Sequence, residues 1–293
     1  MFIIKYKKLF VSISATLVVL SIASMVIFGL NLGIDFKGGS LLEIEYTNAR
    51  PEQVVVEDSI KKLSIGEMLI QPIGETGYSI KTRDITEKER ALIVQSLGDG
   101  AVEKSFTSVG PSVGAELVRK SIISFILVSL GIIFWIAFSF RKVSKPVSSW
   151  KYGFIAIVSL IHDILIPVGV FAVISHFSGV EVDTLFVVAI LTILGLSVSD
   201  TIVVFDRIRE NIRVGHYKTF EETVGKSLEQ VYTRSIATSS TVIIALLALV
   251  FFGPSSTKVF AIMLTAGMFF GTYSSIFLAS PLLVMVNKKL LKK

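Results

Sequence analysis

There is no cysteine among the 293 residues. Disulfides and thiolate-bound metals are therefore excluded, and redox chemistry gives no hint of compartment. Histidine occurs only 3 times, and a lone histidine is a poor metal signal because transition-metal sites need several ligands. The most polar stretch, residues 31–118, contains no histidine and no glycine-rich loop set between a strand and a helix to hold phosphate. The sequence thus calls for no metal, no cofactor and no catalytic constellation, and it does not read as an enzyme.

What the chain has in abundance is apolar sequence: 52% hydrophobic residues and a mean hydropathy of +0.72. Soluble domains reach ~45–50% apolar residues but spread them in short periodic runs. Here they gather into long stretches, Leu9–Leu30, Ile122–Phe140, Tyr152–Ile174, Leu185–Phe205, Ile236–Phe252 and Val259–Val286. Each approaches or exceeds the ~20 residues that cross ~30 Å of hydrocarbon. The first is longer than a signal-peptide core of ~7–15 residues and is not closed by an Ala-x-Ala pattern, so it reads as an uncleaved helix.

Basic residues orient these runs. Lys5, Lys7 and Lys8 precede the first. Arg141, Lys142, Lys145 and Lys151 join the second to the third, and Arg207, Arg209, Arg213, Lys218 and Lys226 the fourth to the fifth. Lys288, Lys289, Lys292 and Lys293 follow the sixth. The opposite short connections, His176–Asp183 and Gly253–Lys258, hold a single lysine between them. Lysine and arginine collect in cytoplasmic loops, so both termini are expected in the cytoplasm and residues 31–118 outside. The net charge of +6 follows from this topology, and nucleic acid is not among the expected partners.

The outer segment has its own pattern. Ser40–Thr47 alternates as a strand, with Glu43 and Glu45 on the solvent face. Pro51–Leu63 starts on proline and carries Val54, Val55, Ile60 and Leu63 toward one side of a helix. Met68–Ile73 and Tyr78–Arg83 flank Gly74-Glu75-Thr76-Gly77, a hairpin signal. Thr86-Glu87-Lys88-Glu89 is a capping box opening a helix to Leu97. Gly98-Asp99-Gly100 ends that helix, and Val102–Val109 is the last strand. The order βαββαβ is ferredoxin-like. The expected fold is an α-helical membrane protein of six transmembrane helices with this α+β domain between the first two. Residues 1–30 form the N-terminal segment and first helix, and 31–118 the external domain. Residues 119–293 hold the remaining helices, with a cytoplasmic amphipathic segment near 206–232. A small external domain of this kind reads as a docking surface rather than an enzyme, by fold analogy alone.

Three polar features interrupt the apolar runs. Asp200 sits in Gly195-Leu-Ser-Val-Ser-Asp200-Thr-Ile-Val-Val-Phe205, with Ser197, Ser199 and Thr201 able to solvate it. A carboxylate at the centre of a membrane helix costs ~2.5–3.5 kcal/mol on insertion scales, and such residues mark function unless the group is merely wetted near the interface. Asp206 opens a charged segment that must be interfacial. His162 and Asp163 are adjacent in the third run, pointing about 100° apart, so they are paired or buried. They form either a structural contact or part of a proton relay. Arg234 stands at the start of the fifth run, in Thr233-Arg234-Ser-Ile-Ala-Thr-Ser-Ser-Thr241. It is either a snorkelling side chain or a cation that pairs with Asp200 in one state and not another. The hydroxyls beside it favour an interior-facing surface. Lys218–Gln230 reads as a short amphipathic helix on the cytoplasmic face. Gly267-Met-Phe-Phe-Gly271 is a close-packing motif, within the chain or between chains. A carboxylate in low dielectric favours its protonated form and a nearby guanidinium opposes that. A varying distance between them would couple proton binding to movement.

Taken together, several motifs resemble the SecD/SecF family of protein-export membrane proteins. They are Gly33-Ile-Asp35-Phe36-Lys-Gly38-Gly39, His162-Asp163, Thr233-Arg234-Ser235 and Ser197-Val-Ser-Asp200-Thr-Ile-Val-Val-Phe-Asp206-Arg207-Ile-Arg-Glu-Asn211. The likeness runs in order over nearly the whole chain. It implies a fold of the resistance-nodulation-division transporter type, with six helices and an external domain in each half. This chain would be one half and SecD the other, in the bacterial cytoplasmic (inner) membrane. The resemblance implies use of the proton motive force in late steps of Sec-dependent translocation of an unfolded secreted polypeptide. The SecYEG translocon and the accessory proteins YajC and YidC are then the implied neighbours. It aligns Asp200 and Arg234 with the family's transmembrane Asp and Arg, and implies a further Asp from SecD. Other classes compete. Half of a proton-driven exporter of small molecules or lipid shares the architecture. An intramembrane aspartyl protease would need Asp163 and Asp200 to share one site, and its Gly-x-Gly-Asp signature is replaced by Ser-Val-Ser-Asp at residues 197–200. A passive translocon scaffold would use the buried charges only structurally.

Overall fold

The computed structural model describes residues 2–139, 149–215 and 217–291. Arg141, Lys142 and Lys145 of the second basic connection, Phe140 at the end of the second run, and Lys292 and Lys293 lie outside the described residues. The chain divides into two compact units, Met1–Asn31 with Ser124–Lys293, and Leu32–Ile123.

The smaller unit contains β1 (Gly39–Tyr46), α1 (Gln53–Lys61), β2 (Met68–Ile73), β3 (Gly77–Thr82), α2 (Glu87–Ser96) and β4 (Ala101–Val109). The sheet order is β2-β3-β1-β4 with antiparallel neighbours throughout, the split-βαβ arrangement expected of a ferredoxin-like chain. Period-2 alternation in β1 sends Leu42, Ile44 and Tyr46 into the core. Glu43 and Glu45 stand on the other face, where Glu45 meets Lys104 at 2.7 Å. That ammonium holds the Glu45 carboxyl below the usual carboxylate range.

Helix α1 turns a different side inward from the one expected. Its buried residues are Val56 and Ile60, with Leu63 packed against the same core. Val54 and Val55 are 63% and 55% exposed. Steps of four and three keep residues 56, 60 and 63 on one stripe, whereas 54 and 55 fall about 200° and 100° away from 56. Pro51 precedes the capping residue Glu52 instead of opening the helix. At α2 the capping box is formed: the Thr86 hydroxyl accepts from the Glu89 amide, and Glu89 accepts from the Thr86 amide at 2.8 Å.

The glycines of Gly33–Gly39 are explained by backbone. Gly33 caps a single helical turn, Ile34–Lys37, which buries Phe36. Gly38 and Gly39 have φ of +78° and +135°, values that side-chain-bearing residues rarely adopt. A Cβ on Gly38 would lie 2.9 Å from Pro111 Cα, and one on Gly39 2.7 Å from the Thr82 carbonyl oxygen. The motif is thus a tight turn that delivers the chain into β1.

Six helices among the described residues are long and apolar enough to cross a membrane: Lys7–Phe28, Pro111–Ile136, Trp150–Ser178, Thr184–Val214, Phe220–Phe252 and Ser256–Asn287. We call these the first to sixth spans. Small residues permit their close approach where hydrocarbon offers no hydrophobic drive. The first span meets the third at Gly169, where a Cβ would come within 2.6 Å of Ser21 Cα, and Ser24 donates to the Gly169 carbonyl at 2.9 Å. The sixth meets the fourth through the close-packing motif. A side chain on Gly267 would strike Ile193, and one on Gly271 would lie 3.1 Å from Ser197 Cβ. That motif therefore serves contact within the chain.

Two helices differ from expectation. The amphipathic Lys218–Gln230 segment is not separate: Thr219 caps one continuous helix, Phe220–Phe252. The fourth span likewise continues through Asp206–Asn211 to Val214. No proline interrupts either segment, and helix hydrogen bonding propagates cheaply once nucleated.

Two outcomes test the domain. Gly39→Ala should cost about 1–3 kcal/mol in unfolding free energy, a strained-backbone cost. Gly66→Ala, also at positive φ (+98°) but with open space around it, should cost less. Thermal unfolding of the solubilised chain reads both. Hydrogen bonds from the Arg83 guanidinium, and then from Thr86, hold the Glu89 carboxyl at about 2. A carboxyl depressed in the folded state stabilises above its unfolded value of ~4.3 and loses that contribution as pH falls toward 2. Unfolding midpoints should drop across that window, and the drop should be shallower in Glu89→Gln.

Candidate intramembrane polar site

The third span places His162 and Asp163 near its middle, 2% and 0% exposed. Their pairing resolves the adjacency: His162 Nδ1 lies 2.8 Å from Asp163 Oδ1. The other carboxyl oxygen accepts from Ser197 of the fourth span and from Ser274 of the sixth, the latter at 2.7 Å. One carboxyl is thus bonded from three helices, which satisfies the requirement that a buried charge-bearing group find partners. The His162 ring also stacks on Tyr273, centroids 6.1 Å apart.

Asp200 lies three residues beyond Ser197, one turn along the fourth span, and is half-buried. Its Oδ2 accepts from Ser239 of the fifth span at 3.2 Å and from Thr272 of the sixth at 3.1 Å. The Thr272 hydroxyl has one proton and three acceptors in reach, Asp200 Oδ2, Ser239 Oγ at 2.6 Å and the Met268 carbonyl at 2.9 Å. Its bond to Asp200 is therefore exchangeable. Beside it, Thr201 bonds Ser275 at 2.8 Å. Immediately afterwards the sixth span widens into a π-helical turn, Ser275–Ala279, a feature often met beside functional positions.

Arg234 is not part of this cluster. It is exposed and lies five residues before Ser239, about 7.5 Å along the helix and about 140° around it. The pairing of Asp200 with Arg234 weighed from the sequence is not formed here. Ser199 also faces outward, unlike Ser197 and Thr201. Asp206 is exposed beside Arg209 at 3.7 Å, and Arg207 bonds Glu210 and Gln230. Gly33, Asp35, Phe36, Gly38 and Gly39 belong to the smaller unit and do not enter the polar site. Among the described residues no group of three or more His, Asp or Glu is placed to hold a metal. Sequence reasoning passed over Ser239, Thr272, Ser274 and Ser275 as individual donors. The available signal was the hydroxyl run Thr272-Tyr-Ser-Ser275 directly after the glycine motif, in the middle of an apolar stretch.

These features define a class, a multi-pass membrane protein whose carboxylates are held inside a helical bundle, with an α+β domain after its first span. Residues 90–289 match the family described as "Protein export membrane protein SecD/SecF, C-terminal", and residues 23–49 match the "SecD/SecF GG Motif". The chain belongs to the SecD/SecF family of protein-export membrane proteins. "Protein translocase subunit SecF" of Thermobaculum terrenum is 42% identical over 98% of this chain and 94% of its own length. The subunit of the same name from Anaerolinea thermophila is 37% identical over 94% and 91%. The crystal structure of SecDF, a translocon-associated membrane protein from Thermus thermophilus, superposes with a TM-score of 0.80 at 28% identity, covering 98% of this chain and 38% of that longer one.

The helix packing beneath the site is directly testable. Gly267→Val should cost about 1–3 kcal/mol by overpacking against Ile193. Gly195→Val, on the same pair of helices but with nothing within 4 Å, should be close to neutral. Unfolding in detergent, followed by circular dichroism, compares the two.

Proposed function

We propose that this chain acts as one half of a proton-coupled assembly with SecD, using the proton motive force to promote late steps of Sec-dependent protein translocation. The observation that carries the reading is Asp200: a half-buried carboxyl at the heart of a membrane bundle, held by two hydroxyl donors of which Thr272 is exchangeable, in a chain of the protein-export family. A proton crossing 100 mV releases ~2.3 kcal/mol, enough to bias a conformational step. Asp200 is the group that loads and releases the proton. Arg234, on the outward side of the fifth span, meets its counter-charge in the SecD half. Asp163 and His162 anchor the polar interior beside Asp200 and extend the relay. Residues 31–118 lie outside, both termini lie in the cytoplasm of a bacterial inner membrane, and the outer domain is the part that moves against the emerging polypeptide. SecYEG is the translocon served, with YajC and YidC as accessory neighbours.

The chain works without catalytic chemistry of its own. Against an aspartyl protease, Asp163 and Asp200 take their hydrogen bonds from different donors, so they do not form a dyad sharing one site. Against a small-molecule or lipid exporter stands the near-full-length likeness to SecF subunits.

The test is Asp200→Asn, co-reconstituted with SecD and the translocon in vesicles. Potential-driven completion of translocation should fall to the level seen without the complex, with the ATP-driven step unchanged. Full retention of the potential-driven step sinks the proposal and favours a passive scaffold.

A further inference from the structure

The motif that contains Asp200 runs on to Asn211, well past the carboxylate, and that continuation is helical. The fourth and fifth spans have 31 and 33 residues. A bilayer takes up ~20 of each, so roughly ten residues of both helices, about 15 Å, extend beyond it as a paired hairpin. Near its tip the pair is closed by a polar clasp. The Asn211 amide donates to Ser227 Oγ and to Gln230 Oε1, each at 2.8 Å, and Arg207 Nε donates to the same Gln230 oxygen at 2.7 Å. Ser227 in turn donates to the Thr223 carbonyl at 2.7 Å. Asn211 and Ser227 are 7% and 0% exposed.

On the fourth span the clasp residue Asn211 and Asp200 share one helix face, and on the fifth the buried stripe that ends in Ser239 starts at Leu228, next to the clasp residue Ser227. On the fourth span Asp200, Val204, Ile208 and Asn211 follow in steps of four, four and three. On the fifth, Leu228, Val231, Ser235 and Ser239 follow in steps of three, four and four. Such spacing keeps side chains on a single stripe, and Val204, Ile208, Leu228, Val231, Ser235 and Ser239 are all buried. The carboxyl end of this stripe bonds Ser239, about 16 Å along the helix from the clasp. A slide or rotation of one helix against the other that breaks either end must disturb the other.

We propose that Asn211, Ser227 and Gln230 are positioning residues for Asp200. They lock the fourth and fifth spans into one unit, so that Ser239 stays on the carboxyl while the rest of the bundle moves, and Arg234 of this chain stays off it. The lack of native cysteine makes a direct test possible. The full chain carrying Asn211→Cys and Ser227→Cys is placed in lipid bilayers, and the infrared bands of the Asp200 carboxyl are isolated by subtracting the same protein with Asp200→Asn. The reference is Ser239→Ala, which removes the hydroxyl donor outright. In the reduced double variant the carboxyl bands should shift to the Ser239→Ala position. After oxidation the disulfide replaces the clasp, and the bands should return to the wild-type position, which also shows that the same polypeptide is folded. Reduced bands at the wild-type position overturn the proposal, since the clasp then does not set Ser239. Oxidised bands that stay at the Ser239→Ala position overturn it too, as does a Ser239→Ala spectrum identical to wild type. Should the double variant not assemble, Gln230→Ala is read the same way: a shift toward Ser239→Ala supports the lock, and unchanged bands refute it. The readout is the carboxyl itself, so the result stands apart from the success or failure of proton coupling.

Discussion

A carboxyl group with no exposure, set in a bundle that faces hydrocarbon, has to draw its hydrogen bonds from protein. Asp163 meets that condition by taking donors from its neighbour His162, from Ser197 and from Ser274. Serine side chains are short, so the helices that supply them must approach closely. Gly271 provides that approach by leaving its side-chain space to Ser197. The third, fourth and sixth spans are therefore held in register by one buried acid and the small residues around it. This matters more in a bilayer than in water, where apolar burial alone could hold the helices together.

Asp200 is held on different terms. Its donors come from the fifth and sixth spans, both address a single oxygen, and one of them is shared with two other acceptors. Asp163 is enclosed and multiply bonded, Asp200 half-buried and loosely bonded. In the proposed proton-coupled reading, the enclosed acid keeps the bundle assembled while the loosely bonded one changes its proton occupancy. The hairpin of the fourth and fifth spans adds to this. Its amide and hydroxyl network lies at a distance from the carboxyl, with Asn211 on the same stripe of the fourth span as Asp200.

Much of the fold was legible because it rests on local rules. Alternation in β1 identified its core face, and the Thr86–Glu89 capping box located the start of α2. Apolar length identified the spans. Errors arose where a local pattern had two solutions. In α1, Val54 and Val55 are as apolar as Val56, and only the position of the sheet decides which of them is covered. The charged segment around residue 226 looked like a surface helix of its own because charge normally marks an interface. It is instead the first turns of the fifth span, whose charged side points out while Val224, Ser227 and Leu228 pack inward.

The same contrast governs the site. Its acids were visible in the sequence, because a carboxylate in an apolar run is costly wherever the helix turns, and that cost is a property of one residue and its neighbours along the chain. Family membership was legible for a similar reason, since its motifs are contiguous strings. The partners of those acids were not. Arg234 was the natural candidate for Asp200 by charge, yet Ser239, five residues along the same helix, holds that place. Choosing between them depends on the rotation and height of the fifth span against the fourth, a relation between two helices to which no single stretch of sequence is sensitive. Composition and linear pattern determined that this chain spans a membrane, folds an α+β domain after its first helix and carries acids inside its bundle. Tertiary packing alone decided which hydroxyls serve those acids, because a hydrogen bond requires two side chains to meet within about 3 Å.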